Sequence, residues 1–252
     1  MLARARVLAL AGLVALAVLA WWYVVRSSAQ MVSMSSDGFF GQQMLAMMDP
    51  RAISQYLAAS VLMWITMMLA MMIPAVLPVI HMFWRLERGG DSQSVTHGVL
   101  FGASYLVVWS ACGIALAGVQ WWLHAHALLQ LPAMATEQRL AAALLIASGV
   151  YQLTPFKAAC LAHCQSPVGF LMSHWRAGAT GALRMGLAHG VYCLGCCWAL
   201  MLTMFAGGVM NIAVMFAISA LILLERLLPV GPWISKVPGV ILILLGLSLL
   251  AK

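Results

Sequence analysis

The stretch "GLAHGVYCLGCCWALM", residues 186–201, sets one histidine and three cysteines within nine positions of a strongly apolar run. On a helix of about 3.6 residues per turn, His189, Cys193 and Cys197 follow at i, i+4 steps and share a face, with Cys196 beside them. Met201 and Met204 continue the series on the following turns. Imidazole, thiol and thioether are ligands for a soft cation, and thiolate with thioether selects Cu(I) over Mg, Ca or Mn. Gly186 and Gly190 fall on the same side, where small residues let a second helix approach closely. A lone cysteine in an apolar helix is ordinarily a small packing residue. A histidine there is costly to bury and reads as functional.

A second group, "CLAHC", holds Cys160, His163 and Cys164, its two thiols again at i, i+4, with the positive Lys157 close enough to favour a thiolate. These two groups contain five of the six cysteines; Cys112 stands apart and reads as packing. The chain has 19 methionines, among them Met63, Met67 and Met71 at i, i+4, and Met68 with Met72. Methionine fills gaps in helix packing; alternatively, Met68, Met71 and Met72 assist the thiols and hand a soft cation toward them. Glu225 beside Arg226 reads as a helix-end pair at an interface, or as a ligand or proton acceptor. Asn211, after "GGVM", reads as a cap or an interhelical hydrogen-bonder. Six acidic residues are too few for a site built from carboxylates. No Ser–His–Asp order, phosphate loop, haem-attachment CxxCH or nucleotide motif marks a hydrolase or an ATP-driven pump, so an enzymatic role is left open, with a non-enzymatic one favoured.

The elements that must position these residues follow from composition. Of 252 residues, 64% are hydrophobic and 8% charged, with mean hydropathy +1.00. Several runs reach the roughly 20 residues that cross a bilayer. They are long and unalternating, which points to helices rather than a barrel. The expected fold is all-α, a polytopic transmembrane helix bundle of seven spans, or six if one end segment fails. Residues 1–26 form an N-terminal membrane anchor, retained rather than cleaved because its apolar run is long and ends in "WWYVV". Residues 27–54 form a methionine-bearing outer loop, and residues 55–252 the multi-helix membrane domain. The spans are expected at about 7–26, 55–80, 98–122, 139–154, 183–206, 209–228 and 237–251. Pro74 and Pro78 should kink or end the second, and residues 155–178 are too polar to cross as one piece.

The net charge of +7 comes from scattered single cations rather than a basic run, so nucleic acid is excluded as a partner and topology is the better reading. With the N-terminus in the cytoplasm, Arg4, Arg6, Arg85, Arg88, Lys157, Arg176, Arg184, Arg226 and Lys236 lie inside, against Arg26, Arg51, Arg139 and Lys252 outside. The expected location is a bacterial cytoplasmic (inner) membrane.

Taken in order, "WITMMLAMMIP", "YQLTPFKAACLAHCQSP", "GLAHGVYCLGCCWALM" and "GGVMNIAVMFAISALILLER" resemble a bacterial family of predicted metal-binding integral membrane proteins, over roughly residues 55–228. The resemblance implies a polytopic membrane protein that binds metal; at the position of Arg226 the family usually has a lysine, so the charge is kept. It supplies no substrate or reaction.

Three functions remain in view. The first is soft-metal handling, copper ahead of zinc, with His189, Cys193, Cys196 and Cys197 as the main site and Cys160 and Cys164 as a relay. Transport, storage and delivery to a membrane enzyme all fit, and a periplasmic metal carrier or membrane enzyme subunit would be the partner. The second is a membrane thiol–disulfide oxidoreductase using Cys193/Cys196 and Cys160/Cys164. The third is a structural subunit of a membrane metalloenzyme complex. The oligomeric state is not legible in the sequence.

Overall fold

The computed structural model describes all residues except 1, 34–36, 88–91, 131–133, 229–232 and 252. Arg88, Pro132 and Lys252 therefore lie outside the described residues. The elements in chain order are α1 (Leu2–Ser33), α2 (Gly38–Ala46), α3 (Ile53–Leu86), α4 (Ser92–Ala125), β1 (Leu129–Gln130), β2 (Ala135–Thr136), α5 (Gln138–Gln152), α6 (Pro155–Gln165), α7 (Pro167–His174), α8 (Gly178–Gly207), α9 (Ile212–Leu227) and α10 (Trp233–Leu250). The all-α expectation holds apart from one two-residue antiparallel pairing, Leu129 with Thr136 and Gln130 with Ala135.

Among the described residues, four helices are long and apolar enough to cross a membrane: Arg4–Met31, Ile53–Leu86, Gln93–Ala125 and Gly178–Gly207. The pair Gln138–Gln152 and Pro155–Gln165 makes a fifth if taken as one broken span, bent by 65°. Seven spans were expected from the apolar runs. Helix α9 has only 16 residues, roughly 24 Å at the usual rise against a hydrocarbon core of about 30 Å. In α10 the apolar helix is the short segment Ser235–Leu250.

Three boundaries differ from expectation. The methionine-bearing segment 27–54 is largely helical: α1 runs on to Ser33, and α2 follows. Pro74 and Pro78 lie inside α3 without ending it. The expected fourth span does stop near residue 154, where Thr154 caps α6 by accepting from the Lys157 backbone N–H and Pro155 takes the first helical position.

The core gathers on α3, α4 and α8. Met63, Met67, Met68, Met71 and Met72 are all at most 3% exposed, so the methionine face of α3 points inward. Helices α4 and α8 touch through glycines: a Cβ on Gly186 would collide with the Phe101 backbone and the Ser104 side chain, and one on Gly190 would stand 2.8 Å from Val108. Farther along the bundle, Trp64 Nε1 donates to Gln120 Oε1 (2.7 Å), and Gln120 Nε2 donates to the Met134 sulfur (3.2 Å). Helix α5 is tied to α8 by Ser148 Oγ donating to the Ala199 carbonyl (2.7 Å). Asn211 caps α9, its Oδ1 accepting from the N–H groups of Ala213 and Val214.

Candidate metal centre

Helix α8 carries Cys193, Cys196 and Cys197, each at most 1% exposed. The Cys193 sulfur is the hub. It receives the Trp109 indole N–H at 3.2 Å and lies 3.0 Å from the Tyr105 hydroxyl. Tyr105 and Trp109 are themselves an i, i+4 pair on α4, brought close by the glycine face of α8. The Tyr105 hydroxyl also stands 3.8 Å from the Met72 sulfur, so this hydroxyl touches a thioether of α3 as well as the Cys193 thiol. The Cys196 and Cys197 sulfurs lie 3.1 Å apart.

Arg226, on the last turn of α9, reaches into this cluster. Its guanidinium hydrogen-bonds Cys193 and lies 3.9 Å from the Cys196 sulfur and 3.8 Å from that of Cys197. It also donates to the Tyr105 hydroxyl at 3.4 Å. A cation thus already sits among the three sulfurs. Among the described residues, no three His, Cys, Asp or Glu side chains are grouped to hold a metal ion.

The two cysteine groups meet. Helix α6 packs on α8, Cys164 is buried in the same core cluster as Cys196, and a Cβ on Gly195 would stand 2.8 Å from the Cys160 sulfur. Gly195, inside the "CLGCC" run, is therefore what lets Cys160 reach α8. Five thiols from two helices gather in one region. Cys112 is partly buried against the same core, in line with a packing role.

Charges fall differently from the sequence reading. The Lys157 ammonium is paired with a carboxylate. It is fully buried and donates to both Glu225 carboxylate oxygens at 2.7 Å, and to Gln152. Glu225 is paired with Lys157 rather than with its neighbour Arg226, and it too is fully buried. Two cations counted as cytoplasmic markers are thus interior groups. Burial explains both: a charge taken out of water must be paired and hydrogen-bonded, and successive residues on a helix point in different directions.

His189 is completely buried, and neither ring nitrogen has a hydrogen-bond partner. It is surrounded by Phe101, Tyr105 and Phe170, with ring centres at 5.9, 5.6 and 4.9 Å. His163 stacks on Tyr192 at 4.1 Å. Met68, Met201 and Met204 are fully buried and Met71 nearly so. Tyr105, Trp109, Gly195 and the sulfur-facing role of Arg226 were missed from the sequence. The usable signal was the glycine pair of α8, which requires a close partner helix and hence polar tips from that helix at the cysteines.

The fold and core define the class as an all-helical, apolar bundle with buried thiols, thioethers and a guanidinium in one core. Comparison with known families is consistent with that class. The PpoB2 family model, described as copper chaperone, matches residues 61–249, three quarters of the chain, and the protein belongs to that family. No curated protein and no solved structure matches it.

Proposed function

We propose that the protein is an integral membrane carrier of Cu(I), holding the ion as cargo through Cys193, Cys196 and Cys197, with Cys160, Cys164 and Met72 completing the sulfur set and His189 on the approach. The observation that carries this reading is the packing of α6 against α8, which brings four buried thiols, Cys164, Cys193, Cys196 and Cys197, and the partly buried Cys160 into one region of the core. Thiolate and thioether donors favour Cu(I) over harder ions and serve zinc as well. The family's description as copper chaperone supports copper over zinc. Met68, Met71, Met201 and Met204 line the buried core beyond the thiols and give a soft ion weak, exchangeable contacts on its way. Glu225, held by Lys157, acts by fixing α9 rather than as a ligand.

The orientation in the membrane follows from the cations. Arg6 donates to Ser94 at 3.1 Å, which puts the start of α1 beside the start of α4. Phe83 stacks on Trp175 at 5.4 Å, which brings the end of α3 to the start of α8. Arg6, Arg85, Arg176 and Arg184 thereby share one end, which the positive-inside rule assigns to the cytoplasm of a bacterial inner membrane.

The experiment is anaerobic purification in detergent followed by Cu(I) titration against a competing chelator, with bound metal and free thiols counted together. The expected result is about one tightly held copper per chain, lost in Cys193→Ser and in Cys197→Ser while both variants still insert. Copper retained by both variants removes the thiol site. Thiols recovered as a Cys193–Cys196 disulfide, without metal, turn the reading to thiol–disulfide exchange.

A further inference from the structure

The end of the bundle built by α6, α7 and the first half of α8 holds a second group of possible ligands. His163 of α6 and His174 of α7 have ring centres 6.3 Å apart. Each is held by an aromatic ring: His163 lies flat on Tyr192, and His174 stacks on Phe170 at 4.6 Å. Both are partly exposed.

Their hydrogen bonds fix their chemistry. His163 Nδ1 lies 2.9 Å from the Ala159 carbonyl, and His174 Nδ1 lies 3.2 Å from the Phe170 carbonyl. A carbonyl oxygen only accepts, so both Nδ1 atoms carry the hydrogen and both Nε2 atoms keep a lone pair. The Ser173 hydroxyl, 2.9 Å from His174 Nδ1, agrees, because its own hydrogen is directed to the carbonyls of Gly169 and Phe170. Nδ1–H on a backbone carbonyl with Nε2 free is the usual arrangement of a metal-ligating histidine. The spacing fits as well. With nitrogen–metal bonds of about 2.0 Å, two imidazoles sharing one ion have ring centres on the order of 6 Å apart.

The pair also leads inward. Phe170, 2% exposed, packs against both His174 and His189, with ring centres at 4.6 and 4.9 Å. His189 has two unpartnered nitrogens in a dry setting, and one helical turn farther along α8 is Cys193. Left alone, an unsatisfied buried imidazole is costly; a passing cation supplies the missing partner.

We propose that His163 and His174 form a two-imidazole loading port for Cu(I) at this end of the bundle, passing the ion by way of His189 to the Cys193 thiols. The port rests on the copper reading above for its cargo, while its geometry is independent of the thiols. It predicts a kinetic role for the pair and an equilibrium role for the cysteines.

Two measurements test it. Anaerobic uptake of chelator-delivered Cu(I) is followed by rapid mixing in the parent, His163→Gln, His174→Gln and the double variant. The double variant should reach the same final copper per chain at a rate at least tenfold lower; an unchanged rate overturns the port. The second measurement exposes Cys193→Ser protein to Cu(I) alone and maps histidine modification by diethyl pyrocarbonate. His163 and His174 should be protected while His126, exposed and making the same kind of bond to the Trp122 carbonyl (2.8 Å), is modified as before. Equal modification of all three overturns the port even if the thiols bind copper. A parent that takes up no copper defeats the carrier reading, and the protection pattern then still decides whether the pair holds an ion.

Discussion

The buried pair Lys157–Glu225 is the sharpest place to perturb the structure. It joins α6, which bears Cys160 and Cys164, to α9, which bears Arg226. Its nitrogen lies 2.7 Å from both carboxylate oxygens, and the two side chains are 0% and 1% exposed. At that distance and an effective dielectric near 20, the gross attraction is roughly 6 kcal/mol. Much of it offsets the cost of taking both charges out of water. Lys157→Met leaves the carboxylate dry and unpaired, and Gln152 without its donor, a loss of about 3–5 kcal/mol. For a chain of this size each kcal/mol moves the melting temperature by about 2–4 °C, so Lys157→Met and Glu225→Leu should each melt roughly 10 °C below the parent. The double variant removes both charges and should recover most of that loss, because apolar replacement of a whole buried pair is often neutral. The assay is thermal unfolding in detergent at fixed lipid and metal content. Single variants within about 3 °C of the parent, or a double variant as damaged as the sum of the singles, would refute the reasoning.

Other outcomes follow from the same contacts. Gly195→Ala places a Cβ 2.8 Å from the Cys160 sulfur, so Cys160 should be displaced and react severalfold faster with maleimide; an unchanged rate means that α6 does not rely on this gap. Met71→Leu conserves the packing volume and removes a thioether from a nearly buried position. It should weaken Cu(I) binding by about tenfold or less without lowering stability, and an unaltered affinity in chelator competition returns that methionine to packing alone. Gly149→Ala meets the Gly239 carbonyl at 2.6 Å and the Ile243 nitrogen at 2.9 Å. It should cost about 1–3 kcal/mol as overpacking, seen as a lower melting temperature with copper stoichiometry intact.

What the sequence disclosed, and what it hid, divides along physical lines. The shared face of Cys193 and Cys197 was readable because helical periodicity is local. The stop near residue 154 was readable because Thr154 and Pro155 form a cap and a first turn. Asn211 announced its cap in the same way. The partners of the charges were not readable. Glu225 and Arg226 are adjacent in the chain and point to different neighbours, one to Lys157 and one to the sulfurs, and only tertiary packing decides that. Tyr105 and Trp109 looked like ordinary aromatic residues of an apolar helix, since nothing local marks them as donors to a thiol. The count of seven spans was not confirmed at α9, because an apolar run records composition, whereas the helix begins only after the Asn211 cap and so has just 16 residues.

The seam between α5 and α10 bears on how the protein is built. Gly149 lies against the Gly239 carbonyl, and Gly246 lies 2.8 Å, counted from its would-be Cβ, from the Ala142 carbonyl. The two backbones therefore meet almost without side chains between them. All of α6 to α9 separates these partners in the sequence. During synthesis α5 is made early and waits with a bare glycine groove until α10 emerges, so this contact is among the last to close. The thiols of α6 and α8 can come together before that closure. The packing of the sulfur core therefore does not wait for the last helix, whereas the wall beside it can be completed only once α10 has been made.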